Sequence, residues 1–424
     1  MSKPELVRNG DEFGLVWKEE GVSVIIDQLR EGSDGLKGEI TVEAIGAGHL
    51  IWGNFNLSST SARATLGRTM SAKMKGPDWY VLLDQAAVMV ARDFRKGEGV
   101  FDLSGLPEGN GFKAFIPGMF MPIGETSTIF ADGGSCKSYV ALVVAACVAR
   151  GRDFPWGGRP LVTGPVLYLD WETTAQEQTD RLRWLCRGWG IDAVSGIHYR
   201  HQVRPLADDI AKLTVEVDRL GVVLVVVDSL GAACGGEPEK ADVMLRVFGA
   251  LRQFKGITRL VVTHISKAGA EGKNKASPFG SVYVRNESRS VWELRRSEND
   301  ADENIVNVGF FHDKVNAGKR CSPFALRFIW DQEERSLRIR RGDLMEDEGL
   351  SAKTSLSFRI RQALRGGALT VVELAEEIAA KENTIYAAIK RMNAVKALDL
   401  GGGGRGKQVR YGLAARFDDG PVPF

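Results

Sequence analysis

The run Val222-Val-Leu-Val-Val-Val-Asp228 constrains this chain more than any other stretch of its sequence. Six consecutive apolar residues, most of them β-branched, leave no polar face for water. Such a run suits a strand buried on both sides, in the middle of a parallel sheet with helices above and below. Three further short runs, Ser127–Ala131, Val166–Asp170 and Arg259–Thr263, share this role and alternate with longer helical segments. Later runs (Ile305–Phe311, Phe324–Trp330 and Ser336–Arg340) alternate polar with apolar residues and predict antiparallel strands added at one edge. The fold class is α/β, a mostly parallel sheet with helices on both faces.

The first of these strands leads into Ala131-Asp-Gly-Gly-Ser-Cys-Lys-Ser-Tyr139 and then an apolar helix to Arg150. A strand, a Gly-rich turn and a helix in this order form the setting of a phosphate-binding loop. Backbone N–H groups of Asp132, Gly133, Gly134, Ser135 and Cys136 can curl around phosphates, and the helix N-terminus adds positive potential. Lys137 is placed for the β- and γ-phosphates and the Ser138 hydroxyl for Mg²⁺. Ala131 stands where the first glycine is usual and Cys136 where the second is. A cysteine held at positive φ costs about 1 kcal/mol, which predicts weakened nucleotide binding.

Two apolar strands end in carboxylates. Asp228 closes one and is placed to hold Mg²⁺ through water. Glu172 follows Val166-Leu-Tyr-Leu-Asp-Trp and is placed to orient and deprotonate an attacking water. Asp170 points the other way along its strand. Carboxylates at strand ends also cap helices, but two in order behind a Gly-rich turn argue for one shared site. A third strand ends in His264, either a sensor of the γ-phosphate or a structural histidine.

Composition excludes several other classes. A hydrophobic share of 44% and a charged share of 26% are those of an ordinary globular chain. No run of about 18 apolar residues predicts a membrane span. The first residues lack the basic-then-apolar pattern of a secretion signal. Five scattered cysteines without a CxxC pair predict reduced thiols in the cytoplasm rather than a disulfide framework or zinc site. His198 and His201 have no cysteine or carboxylate cluster near them and read as structural or surface residues.

The chain divides into three parts. Residues 1–110 mix strand-like runs with two helical segments, an α+β unit that ends in a Gly-rich linker; its basic residues Arg63, Arg68, Lys73 and Lys75 either touch DNA or a partner or are solvated surface. Residues 115–341 carry the phosphate loop and its carboxylates. Residues 354–415 contain three helical segments and a Gly-rich hairpin, with Thr370 and Glu373 spaced as a capping box. This last unit reads as a winged helix-turn-helix, with Lys390 and Arg391 on the recognition helix and Arg405, Lys407 and Arg410 on the wing. Its ten basic and five acidic residues fit contact with duplex DNA; a protein-docking role is the alternative.

The segments ADGGSCKSYVAL, VLYLDWE, VVLVVVDSL, VVTHISKAG and GSVYVRNESRSVWEL, in this order, resemble the RecA/DnaB-type P-loop ATPases, most closely the RepA-like hexameric replicative helicases of plasmids and phages. The resemblance implies a RecA-like sheet, ATP and Mg²⁺ as ligands, and DNA as partner. It assigns Lys137 and Ser138 to the phosphate loop, Glu172 to catalysis, Asp228 to the metal and His264 to sensing. It implies a hexameric ring in which a basic finger from the next subunit reaches the nucleotide, with Arg320 the first choice and Lys314 and Lys319 its rivals. It places single-stranded DNA on the loops Gly231–Asp242 and Lys267–Pro278, the latter carrying Lys267, Lys273 and Lys275; a solvated mobile loop is the other reading. The expected activity is that of an ATP-driven DNA helicase or translocase in the replication of a phage, plasmid or mobile element, with a primase as a possible partner. Alternatives are a filament-forming recombination or repair ATPase and a DNA-binding regulator with a weakened ATP site.

Overall fold

The computed structural model describes residues 3–9, 12–96, 102, 104, 113–266, 277–280, 282–298, 302–316, 318–393, 395–398 and 409–414. Two compact units emerge, Met1–Gly109 and Asn110–Phe424.

The first unit begins with an antiparallel sheet in chain order: β1 (Glu5–Asn9), β2 (Glu12–Trp17), β3 (Val22–Gly32), β4 (Gly35–Ala44) and β5 (Gly48–Asn56). Alternate residues face inward, Phe13, Leu15 and Trp17 from β2 and Val22, Val24 and Ile26 from β3. Helices α1 (Thr60–Lys73) and α2 (Trp79–Lys96) follow. The buried residues of α2 (Trp79, Leu82, Leu83, Ala86, Ala87 and Val90) recur at helical spacing as one apolar stripe. Arg63 bonds the Leu57 carbonyl and pairs with Asp84, and Lys73 bonds the Leu50 carbonyl. Those two members of the basic stretch therefore hold the unit together.

The second unit opens with the short pair β6 (Ala114–Ile116) and β7 (Met121–Pro122). The main elements then alternate: β8 (Thr126–Ala131), α3 (Lys137–Arg150), β9 (Val166–Asp170), α4 (Ala175–Gly188), β10 (Ile197–His201), α5 (Leu206–Leu220), β11 (Leu224–Asp228), α6 (Leu230–Ala233), α7 (Ala241–Leu251) and β12 (Thr258–His264). After α8 (Val282–Glu287) come β13 (Ser290–Arg296), β14 (Ile305–Val315), β15 (Phe324–Asp331) and β16 (Ser336–Gly342). They form one sheet in the order β10-β9-β11-β12-β8-β13-β14-β15-β16. The first six are parallel, and β14, β15 and β16 join antiparallel at one edge.

Strands β8, β9 and β11 are buried at every position, although β8 opens on the polar residues Thr126, Ser127 and Thr128, and only β9 and β11 run apolar up to their terminal aspartates. Helix α3 fills the space on one face with a small-residue surface of Ala141, Ala145 and Ala146 among valines. Helices α5 and α7 cover the other face against Leu167, Val225, Val227 and Val261. Helix α4 lies flush on the added edge. A Cβ at Gly188 would stand 1.9 Å from the Leu337 carbonyl oxygen, so only glycine permits that contact.

Past β16 the chain continues through α9 (Glu348–Ala352), α10 (Leu356–Ala363), β17 (Leu369–Thr370), α11 (Val371–Glu377), α12 (Glu382–Ile389), β18 (Val395–Leu398) and β19 (Arg410–Leu413). The strands pair antiparallel in the order β17-β19-β18 over a core of Ile360, Leu364, Leu374, Ile378, Ile385 and Ile389. The Thr370–Glu373 capping box forms as its spacing predicts. Helix α12 is shorter than its sequence pattern: it ends at Ile389, so Lys390 and Arg391 follow the helix instead of sitting on it. Arg410, on β19 beside the hairpin, bonds the Ala368 carbonyl and Glu373 while its side chain stays partly exposed.

The segment before this module is fastened to the sheet. Ser297 donates to the buried Asp347, Lys353 pairs with the buried Glu293 of β13, and Leu344 and Leu350 pack over Gly309 of β14. Among the described residues no helix is long and apolar enough to cross a membrane.

Candidate functional site

The parallel strands β9, β11, β12 and β8 lie in that order in the middle of the sheet and end on the same side, and the candidate site lies at their tips. The loop Ala131–Ser138 curls from β8 into α3. Gly134 has φ 70° and Cys136 φ 57°, both left-handed, which turns successive N–H groups toward one concavity. Open space faces Gly133, and a Cβ on Gly134 would meet only the Arg296 guanidinium, at 3.6 Å. The loop thus leaves a cradle at the positive end of α3. Cys136 caps α3 by backbone alone, with no side-chain cap hydrogen bond. Replacing Cys136 by glycine should stabilise the loop by about 1 kcal/mol and tighten ATP binding roughly fivefold. A nucleotide titration checks this; unchanged or weaker binding refutes the strain argument.

Lys137 is buried and its Nζ donates to the Asp132 carbonyl at 2.8 Å. Burial pulls its ammonium below the usual lysine range, while Asp228 and Glu172 act in the opposite sense. Asp228, at the tip of β11, accepts from the Tyr168 hydroxyl at 2.7 Å, with the Ser138 hydroxyl close by. Burial raises its carboxyl above the ordinary range, while Tyr168 and Ser138 act in the opposite sense. Ser138 and Asp228 therefore already converge as two oxygen donors beside the cradle. That donor set fits Mg²⁺, which takes one or two protein oxygens and completes its shell with phosphate and water.

Glu172 follows the tip of β9 on a turn built by Asp170. The buried Asp170 accepts from the backbone N–H groups of Glu172 at 2.8 Å and Thr173 at 2.9 Å, and from Gln178 Nε2 at 2.8 Å. Its role is to aim the next carboxylate. His264 Nε2, at the tip of β12, stands 3.8 Å from Glu172 Oε1, and the Ser229 hydroxyl donates to the same oxygen. His264, Ser229 and Lys137 hold the Glu172 carboxyl at about 2 against a contrary effect of burial. Glu172 is thus an anion at neutral pH, able to accept a proton from a bound water.

A cavity of about 800 Å³ adjoins the loop one residue past Ser138. Tyr139 meets Trp330 edge-on at 5.7 Å, and the Arg181 guanidinium lies over the Tyr139 ring at 5.3 Å. An aromatic wall with a guanidinium beside it is a stacking surface. No sequence signal marked Trp330, because β15 and α4 meet only through the fold. Arg296, at the tip of β13, was missed for the same reason.

The basic candidates for a finger lie elsewhere. Val315 of β14 pairs with Ser290, and Leu294 pairs with Ala131, so the segment after β14 lies at the opposite end of the sheet from the loop. Arg320 and Lys319 are exposed there. Lys314 is not available: its Nζ donates to the carbonyls of Arg285, Asn286 and Ser288, capping the end of α8. Lys390 and Arg391 are exposed, with the Lys390 ammonium over the Tyr386 ring at 4.7 Å. Lys267, Lys273, Lys275, Arg405 and Lys407 lie outside the described residues. His201 bonds the Thr173 carbonyl at 3.0 Å, and none of the five cysteines is in a disulfide.

Residues 112–270 match a family model described as an AAA domain, a stretch shorter than half the chain. No curated protein matches the sequence. Among solved structures, a KaiC-like protein from the hyperthermophilic archaeon Pyrococcus horikoshii OT3 is similar over 54% of this chain and 97% of its own, at 14% identity and a TM-score of 0.38.

Proposed function

We propose, from the premise that the second unit carries a RecA-type P-loop ATPase core, that this chain is an ATP-dependent DNA translocase that forms rings and separates strands during replication of a mobile element. One observation carries the reading: Lys137, Ser138, Asp228 and Glu172 meet at the tips of β8, β9 and β11 around an open glycine cradle. ATP would lie with its phosphates on the N–H groups of Asp132–Cys136 and on Lys137. Bound Mg²⁺, held by Ser138 and Asp228, would supply charge neutralisation to the β- and γ-phosphates. Glu172 would position and deprotonate the attacking water, and His264, beside it, would respond to loss of the γ-phosphate.

The Tyr139–Trp330 cavity is suited to the base. Trp330→Ala should weaken ATP binding about tenfold, since one stacking contact contributes about 1–3 kcal/mol. Inorganic tripolyphosphate, which has no base, should bind the variant and the wild type alike. Equal losses for both ligands in parallel calorimetric titrations would refute the assignment.

Arg320 lies at the far end of the sheet from its own phosphate loop, which supports action on a neighbouring copy. The topology of residues 356–414, helix, strand, two helices and a hairpin, supports a winged helix on DNA. The test is ATP turnover with and without DNA, followed by strand separation on a forked duplex. Turnover without strand separation removes the helicase claim and leaves an ATPase. The strained Cys136 favours a second reading, a DNA-bound regulator with slow hydrolysis; wild-type turnover that DNA does not stimulate would select it.

A further inference from the structure

A second cleft of about 470 Å³ opens between the ends of α3 and α4 and edge strand β16. Helix α3 leaves the phosphate loop and runs 14 residues, so the cleft begins about 20 Å from Lys137. Arg152, Arg159, Arg338 and Arg340 line it, against one acidic residue, Asp153. The ends of α3 and α4 carry partial negative charge, which gives Arg152 a local use. Arg338 and Arg340 belong to a strand and have no such duty. Arg159 pairs with Asp153 at 2.7 Å and Arg338 with Asp331 at 3.6 Å. The first pair is exposed and the second partly so, and such solvent-screened pairs are weak enough for a polyanion to displace them. Among the described residues Arg340 has no ion pair.

The floor of the cleft is aromatic. Trp189 ends α4 half-buried, with the Arg152 guanidinium 4.7 Å from its ring centroid. Phe154 lies beside it, stacked on Trp156 at 4.8 Å. Guanidinium forks match phosphate oxygens, and the half-buried Trp189 indole, with Arg152 over its ring, lets an unstacked base join that stack. Duplex DNA keeps its base faces stacked and could use only the cations. From this combination we infer that the cleft binds single-stranded nucleic acid, with phosphates on Arg338 and Arg340 and a base on Trp189. The site uses none of the residues of the nucleotide crevice and none of the loop and wing residues named above for DNA contact.

The test is an anisotropy titration of the full chain with a fluorescent oligothymidylate over a series of salt concentrations. Arg338→Gln/Arg340→Gln should lower affinity about tenfold or more and flatten the log affinity against log salt slope by about 1.4, or 0.7 per phosphate released. Trp189→Ala should lower affinity at least fivefold with the slope unchanged, and Trp189→Phe should restore most of it. ATP turnover without DNA should be the same in all variants, which verifies their folding. The assignment is overturned if the double variant keeps the wild-type affinity and slope, or if Trp189→Ala binds as tightly as the wild type. A wild type that binds no oligothymidylate overturns both this site and the translocase reading. Binding that survives in the variants overturns this site alone.

Discussion

Glu172→Gln is expected to slow ATP turnover by roughly two to four orders of magnitude while nucleotide affinity stays near that of the wild type. The amide keeps the shape of the side chain and can still accept from the Ser229 hydroxyl. It cannot take a proton from water at neutral pH. The wild-type carboxylate is held fully ionised by His264, Ser229 and Lys137, so the change removes a base and not a proton donor. Phosphate release under saturating ATP, set beside a binding titration, separates the two effects. A variant that loses binding and turnover together would show that Glu172 holds nucleotide or metal and not the attacking water.

Lys137→Ala should fail earlier. Its buried ammonium stands near Asp228 and Glu172 and bonds the Asp132 carbonyl. Without it, the triphosphate meets two carboxylates with only Mg²⁺ and the Arg296 guanidinium to offset them. Turnover should fall at least about a hundredfold, the scale of losing one preorganised charge in a water-poor site. The ATP-dependent rise in melting temperature should disappear as well, because stabilisation by a ligand follows its affinity. The melting temperature without ATP should change little, since the alanine also relieves the burial of a cation. Retained stabilisation by ATP would place the phosphates elsewhere.

Strands β9 and β11 were legible because burial on two faces leaves a continuous apolar signature. Predicted and observed ends of β9 coincide, and those of β8 and β12 differ by one residue. Strand β10, Ile-His-Tyr-Arg-His, was not legible: it is the outer strand of the parallel edge and has no apolar run. Strand β13 contains Glu293, a poor sign for a buried strand. That carboxylate is tolerated because Arg295 and the distant Lys353 pair with it. Lys314 looked like a free cation in sequence, and only the fold brings the end of α8 onto its three protons. Glu172 and Asp228 could be read because both close runs whose direction in the sheet is fixed. Trp330, Arg296 and Trp189 could not, since each acquires its neighbours from elements far apart in the chain.

The fastening of Lys353 to Glu293 bears on how the C-terminal module could move. Glu293 sits on β13, which hydrogen-bonds directly to β8, the strand that carries the phosphate loop. Thr354, bonded to the Ser351 carbonyl, and Ser355, the cap of α10, are the only residues between that anchor and the module's first helix. The module is therefore mounted like a bracket on the strand beside the loop, and not hung from a string. A tilt of β13 at its root would be carried outward into a larger sweep at residues 356–414, coupling the two without a messenger loop.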